Sequence, residues 1–138
     1  MAFAGLNYWA ILAAAVAGFL FGGAYYGLIA KPWMEAIGKT PQDLQKTGMA
    51  VPMAISAVAL LVMAWVLAGV IGHLGPGQVT LRNGMISGAV CWLGFVATTL
   101  ATNHAYQGAK RSLTMIDSGY WLGVLLIEGA VIGAIGIR

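Results

Sequence analysis

The residue with the clearest chemical potential is a carboxylic acid deep inside an apolar stretch near the C-terminal end of the chain. Glu128 follows Leu-Leu-Ile and precedes Gly-Ala-Val-Ile. In a helix that crosses a bilayer, it would lie about ten residues, or about 15 Å, from the end of the helix. An ionised carboxylate at that depth is costly and usually functional. We therefore expect a neutral acid that donates a hydrogen bond, unless another subunit, an ion or a ligand supplies a positive charge.

Acceptors for this hydrogen bond can be sought by counting the same depth along the other apolar stretches. The count reaches Gly18 on the first stretch, Ser56 on the second, and Thr98 and Thr99 on the third, and it meets no Lys, Arg or His. Three roles stay open for Glu128: a structural hydrogen bond, a contact with a partner chain, and a step in a proton or cation pathway. A pathway normally uses several ionisable groups across the membrane, and here there is one.

A second polar group stands at the end of the third apolar stretch and in the connection after it. His104 and Arg111 are seven residues apart and would share a helix face, with Lys110 beside them and Lys31 at a similar depth. Together they could hold an anionic lipid headgroup through charge-assisted hydrogen bonds. The alternative is an ordinary set of basic residues that extend to the membrane surface.

Metal and cofactor sites are not expected. His73, beside a Gly-Pro-Gly turn, and His104 fall at opposite ends of their stretches and cannot share an ion within one chain. The single cysteine, Cys91, excludes a disulfide within the chain and a multi-cysteine metal site. No nucleophile with a paired base, phosphate-binding loop or pair of acids on one face is recognisable.

The composition requires these residues to be positioned by membrane-spanning helices. Of 138 residues, 60% are hydrophobic and only 8% are charged, which excludes a soluble domain, a disordered chain and a nucleic-acid binder. Four apolar runs predict spans at about 6–29, 49–72, 83–105 and 118–137. The sequence thus predicts a single all-α domain, 1–138, with four transmembrane helices. No room is left for a soluble catalytic domain.

The connections between the spans carry their own signals. Thr40, Pro41 and Asp43 form a helix start, which predicts a short interfacial helix over about 41–46 in the first loop. Asp117 is placed to cap the fourth span. Five Lys and Arg residues lie in connections one and three, against Arg82 and Arg138 on the other side. This imbalance predicts that connections one and three are cytoplasmic and that both termini lie outside a bacterial inner membrane.

Aromatic residues cluster near the ends of the predicted spans, as in the belts at membrane interfaces. One rim would carry Tyr8 and Trp9, and the other Tyr25, Tyr26, Trp33, Tyr106, Tyr120 and Trp121.

Glycine is abundant and regularly spaced. The chain has 20 glycines, about twice the usual share of 7%. Small residues four apart form a groove that lets another helix backbone approach closely, which matters in lipid, where the hydrophobic effect does not drive helices together. Five pairs have this spacing: Gly18 and Gly22, Gly23 and Gly27, Gly84 and Gly88, Gly119 and Gly123, and Gly129 and Gly133. Three of the four spans carry such a groove, so a partner helix is plausible.

Several motifs, in order and spacing, resemble a small family of bacterial membrane proteins, domain of unknown function 1761. They include Tyr8-Trp9-Ala10-Ile11-Leu12-Ala13-Ala14, Tyr25-Tyr26, Gly38-x-Thr40-Pro41, Trp92-Leu93-Gly94-Phe95 and Ile116-Asp117-x-Gly119-Tyr120. The resemblance covers nearly the whole chain and implies a four-span membrane protein with no known activity. Two residues depart from the pattern: Asp117, where Asn is commoner, and Glu128, where an apolar residue is usual.

These observations favour a non-enzymatic membrane protein without cofactors. Its helices would pack through the glycine grooves against copies of itself or as an accessory subunit of a larger membrane complex. The alternative is a small oligomeric transporter or channel with Glu128 in the path. Lipid is the expected surrounding and nucleic acid is not an expected partner.

Overall fold

The computed structural model describes residues 3–138, and in these residues the fold is entirely helical. Seven α-helices follow one another, with one π-helical segment between two of them: α1 (Tyr8–Leu28), α2 (Ala30–Ile37), α3 (Pro41–Thr47), α4 (Ala50–Gly72), α5 (Leu81–Cys91), the π segment (Trp92–Ala97), α6 (Thr98–Gln107) and α7 (Arg111–Ile135). Because α5, the π segment and α6 are continuous, four long helices are apolar enough to cross a membrane. The prediction of an all-α, four-span membrane protein is confirmed.

The first span has the length that a bilayer requires. Asn7 accepts hydrogen bonds from the backbone N–H groups of Trp9 and Ala10 and so caps α1. From there α1 continues for 21 residues, or about 31 Å, close to the thickness of a hydrocarbon core. The start of α1 and the segment after α7 meet at this end of the bundle, since the Asn7 N–H donates to the Ile137 carbonyl at 2.8 Å.

The first connection holds two short helices, of which the sequence predicted one. In α3, Thr40 and Asp43 form a reciprocal capping box, as the sequence indicated. The other helix, α2, follows α1 after a break at Ile29 and ends at Gly38, whose φ of 68° suits a residue without a side chain. One face of α2 is polar and the opposite face buries Ala36.

The fourth span begins well before its apolar stretch. Gly108, at a φ of 66°, ends α6, and Lys110, in an extended conformation, precedes α7. A turn of only residues 108–110 therefore joins the two helices, and α7 starts at Arg111 and not near residue 118. Asp117, predicted to cap the span, lies inside α7 instead.

Helix α7 is the centre of the bundle. It packs against α5 on one side and against α1 on the other, and it also contacts α4, α6 and α2. Its buried face includes Val124, Leu125 and Ile132, which join Leu60 and Ile71 of α4 in the apolar core. A side chain on this face of α7 therefore lies between the other spans and away from lipid.

Candidate functional site

The most unusual group in the bundle is the Glu128 carboxyl. Its side chain is 0% exposed, and it is the one buried charged or polar residue of the described core. Neither carboxyl oxygen has a hydrogen-bond partner among residues 3–138. Buried polar atoms are normally paired, so an unpaired carboxyl requires a physical explanation.

The neighbours of Glu128 place it level with the middle of α1 and α4. An added Cβ at Gly18 would lie 3.5 Å from Glu128 Oε1, 3.4 Å from Leu60 and 3.6 Å from Val124. Gly18 and Leu60 are the eleventh residues of α1 and α4, which have 21 and 23 residues. A Cβ at Gly18 would thus be in ordinary contact with the carboxyl, and a larger side chain there would meet the carboxyl or Leu60.

The hydrogen bonds predicted for Glu128 do not form. The hydroxyls of Thr98 and Thr99 donate to carbonyls of their own helix, those of Gly94 at 2.9 Å and Phe95 at 2.5 Å, and both threonines are exposed. Ser56 is half-buried on α4, one turn from Leu60, and does not bond to the carboxyl either.

Thr98 and Thr99 were predicted at the level of Glu128, but they lie at a different level of the bundle. At the α5–α7 crossing, Gly129 lies against Gly84 and Leu125 against Gly88. Glu128 is therefore level with residues 84–88 of the third span. Thr98 lies ten residues further along, or about 15 Å away. The depth count failed because α7 starts seven residues before its apolar stretch.

Two of the predicted glycine pairs face each other across this crossing. A Cβ at Gly84 would collide with the carbonyl oxygen of Gly129, and a Cβ at Gly129 with that of Gly84. Gly88 and Gly133 meet backbone carbonyls in the same way, those of Leu125 and Thr80. The two backbones touch, as they do in glycine-mediated contacts between membrane helices.

The α1–α7 contact uses glycines differently, since each receives an aromatic or polar side chain. Gly22 lies under the Tyr120 ring and hydroxyl, Gly123 under the Phe21 ring, and Gly119 near the Tyr25 hydroxyl. A Cβ at Gly22 would be 3.0 Å from the Tyr120 oxygen. Tyr120 is only 8% exposed, so it belongs to the core and not to the aromatic belt that the sequence predicted.

Glycines 23 and 27 stand apart from the other pairs. An added Cβ at Gly23 or Gly27 would meet nothing within 4 Å, and both residues are exposed. Near them, α1 and α4 leave an apolar groove of about 190 Å³. Its lining residues are Leu12, Ala15, Val16, Phe19, Leu20, Ala57 and Leu61.

Polar contacts concentrate at one end of the α1–α7 interface. This end, next to the first and third connections, is called the loop end. The Tyr26 hydroxyl donates to Asp117 Oδ1 at 2.8 Å, and the Tyr25 hydroxyl donates to the Ile116 carbonyl at 2.8 Å. On the other side of α7, the Trp92 indole N–H donates to the Ser118 carbonyl at 2.8 Å and anchors the start of the π segment. No local sequence pattern indicates these pairs, which are 26 to 91 residues apart.

The predicted lipid-binding residues form no hydrogen bonds with one another in the described structure. His104 Nδ1 lies 2.8 Å from the Thr114 hydroxyl, and the Lys110 ammonium donates to the Glu35 carbonyl of α2 at 3.0 Å. Arg111 and Lys31 are exposed. The first and third connections therefore meet at one end of the bundle.

His73 lies at the other end, with Nδ1 2.7 Å from the Gly69 carbonyl.

Within the described residues, no three His, Cys, Asp or Glu side chains are grouped as metal ligands.

Comparison with known proteins identifies a family but no function. The family described as "Protein of unknown function (DUF1761)" matches residues 9–133. No curated protein and no solved structure matches the chain.

Proposed function

The chain belongs to the DUF1761 family, and we propose that it is a non-enzymatic membrane subunit that packs through α1 against another transmembrane helix, from a second copy or from another protein. The observation that carries this proposal is the open pair Gly23 and Gly27. The other predicted pairs contact backbone or side chains of the same chain, whereas these two face outward.

Helix geometry extends this pair into a longer surface. At 100° per residue, Val16, Leu20, Gly23 and Gly27 lie within a sector of about 60° on α1. Val16 and Leu20 also line the α1–α4 groove. The α1 face, defined as these four residues, consists of two apolar side chains that line the groove and two open glycines on the following turns. This shape suits a helix that approaches closely, and glycine removes the side chains that would hold its backbone away.

We place the protein in a bacterial inner membrane, with the first and third connections in the cytoplasm and both termini outside. Support comes from the bond between Lys110 and the Glu35 carbonyl, which joins the two connections at one end. That end carries most of the basic residues. Labelling of single cysteines placed at Lys46 and at Gln78, in a Cys91→Ser background, tests the orientation. We expect a membrane-impermeant reagent to label the Gln78 position from outside intact cells. Labelling at the Lys46 position alone would show the opposite orientation.

The packing proposal is tested by photo-crosslinking in native membranes. A photoreactive amino acid at Gly27 is compared with one at Ala101, an exposed alanine of α6. We expect protein adducts from Gly27 and lipid adducts alone from Ala101. A product of twice the chain mass identifies a second copy, and a larger defined product identifies another subunit. Lipid adducts alone at both positions would contradict the proposal.

A second candidate function is a small oligomeric transporter or channel with Glu128 in its path. The unpaired carboxyl inside the bundle favours it, because ionisable residues within membrane-spanning helices commonly belong to ion or proton pathways. Reconstituted liposomes provide the test. We expect proton or cation flux in the wild type and its loss in Glu128→Gln, and equal flux in protein-free and protein-containing vesicles would oppose this function.

A further inference from the structure

Two polar side chains of α7 enter one groove of α1. The Glu128 carboxyl lies 3.5 Å from the Cβ position of Gly18, and the Tyr120 hydroxyl lies 3.0 Å from that of Gly22. On a helix, Cβ positions four residues apart are separated by about 6 Å. The carboxyl and the hydroxyl therefore occupy consecutive turns of the Gly18–Gly22 groove.

From Tyr120, polar groups continue to the loop end of the bundle. The rings of Tyr120 and Tyr26 are in contact, with centroids 5.0 Å apart. The Tyr26 hydroxyl in turn donates to Asp117 at 2.8 Å. Tyr26 and Asp117 are only half-buried, so this end of the series is open to the membrane surface. The Tyr26–Asp117 hydrogen bond, the contact between the Tyr26 and Tyr120 rings and the Glu128 carboxyl thus follow one another along the α1–α7 interface.

No charged group of the packed helices compensates an ionised Glu128. Helices α1 and α4 contain no Lys, Arg, Asp, Glu or His. On α5, Arg82 is exposed and lies 200° around the helix from Gly84, which faces α7. On α7 itself, Asp117 is three turns away and bonded to Tyr26. The carboxyl is thus stable in the bundle as the neutral acid, which carries a proton it can release only to an adjacent oxygen.

We propose that Glu128 is an intramembrane proton-binding site, loaded from the loop end of the bundle through Asp117, Tyr26 and Tyr120 along the Gly18–Gly22 groove. Each step moves one proton from an O–H group to a neighbouring oxygen, which releases its own proton to the next, and no electrons are transferred. The route serves the second candidate function, but proton exchange at Glu128 is measured without any flux, so the two can fail separately.

Infrared spectroscopy of the protein in lipid vesicles tests the site. The carbonyl stretch of a protonated carboxylic acid is assigned to Glu128 by its loss in Glu128→Gln. We expect this band at pH 7 and its shift when H2O is replaced by D2O. A carboxylate signal in place of the acid band, or an acid band that does not shift in D2O, would overturn the proposal.

The route is tested by the rate of that shift in two variants. Tyr120→Phe removes the hydroxyl and keeps the ring, and Gly18→Ala adds a methyl group beside the carboxyl at ordinary contact distances. We expect each to slow deuteration by about tenfold, because Tyr120→Phe removes one hydrogen-bonding oxygen from the route and the methyl group of Gly18→Ala narrows the groove. The matched controls are Tyr25→Phe, whose hydroxyl bonds to a carbonyl beside the route, and Gly23→Ala, at an open position.

The outcome separates the route from the site. Unchanged rates in the controls, with slow exchange in Tyr120→Phe and Gly18→Ala, support both. Wild-type rates in Tyr120→Phe and Gly18→Ala would overturn the route. Circular dichroism melting of every variant verifies that slow exchange is measured on folded protein.

Discussion

The Glu128 carboxyl and Gly18 are a complementary pair: Oε1 lies 3.5 Å from the position that a Cβ of Gly18 would take. The carboxyl is fully buried, and the glycine on the facing helix leaves it room. A larger residue at Gly18 would displace either the carboxyl or Leu60. The two residues therefore depend on each other, although 110 positions separate them in the sequence.

The protonated, neutral Glu128 that we propose predicts how substitutions there affect stability. Glu128→Gln keeps the volume and the lack of charge, so we expect the free energy of unfolding to change by less than about 1.5 kcal/mol. Glu128→Arg places a longer, permanently charged group in the core and should cost about 3 kcal/mol or more. Denaturant unfolding in detergent micelles, followed by circular dichroism, measures both. Severe loss of stability in Glu128→Gln would show that the carboxyl has a charged or specific partner.

The α5–α7 crossing predicts a strict requirement for glycine. Gly84→Ala and Gly129→Ala would each push a methyl group into the facing carbonyl oxygen. We expect each to reduce the free energy of unfolding by about 1–3 kcal/mol, as overpacking does. Gly94→Ala, at an exposed position with open space around it, is the matched control. Equal melting temperatures for all three variants and the wild type would contradict the close approach.

The hydrogen bond between Tyr26 and Asp117 predicts a difference between neighbouring tyrosines. Tyr26→Phe removes a bond to a carboxylate, which should cost about 2 kcal/mol, whereas Tyr25→Phe removes a bond to a backbone carbonyl, at about 1 kcal/mol. A double-mutant cycle with Asp117→Asn isolates the Tyr26–Asp117 interaction from general loss of packing. Additive effects of Tyr26→Phe and Asp117→Asn would show that the two side chains do not interact.

The capping box of α3 predicts a pH dependence outside the membrane. The backbone N–H and the hydroxyl of Thr40 both donate to Asp43, and these hydrogen bonds hold the pKa of its carboxyl below the usual 3.8. Because the folded form has the lower pKa, its contribution is fully present above pH 4 and is lost as the pH falls through the folded pKa. The protection of the α3 amides, measured as their exchange rate relative to the intrinsic rate at the same pH, should therefore fall as the pH drops below about 4. The same loss of protection in Asp43→Ala would attribute it to another group.

The elements that could be predicted from the sequence are those with a strong local signal. Four apolar runs gave the four spans, and the Thr40–Asp43 pattern gave α3. The start of α7 was missed because residues 111–117 are too polar to look like a span, although nothing in them interrupts a helix. That displacement changed the level of Glu128 relative to the third span and misdirected the search to Thr98 and Thr99.

The roles of the glycines also required tertiary information. Spacing alone treats Gly84 and Gly88 in the same way as Gly23 and Gly27. In the structure the first pair touches the backbone of α7 and the second faces outward. Likewise, Tyr120 resembles an interfacial aromatic residue in sequence, and only the presence of Gly22 on the facing helix reveals that it is buried.

Assembly through the α1 face is tested most directly by native mass spectrometry of the protein released gently from its own membrane. We expect the wild type and Ala101→Leu to form assemblies of the same composition, with a mass above that of a single chain, as a homo-oligomer or with other subunits. Gly23→Leu and Gly27→Leu should reduce it to the single chain. A wild type that is released as a single chain, or assemblies that survive both glycine substitutions, would contradict the account.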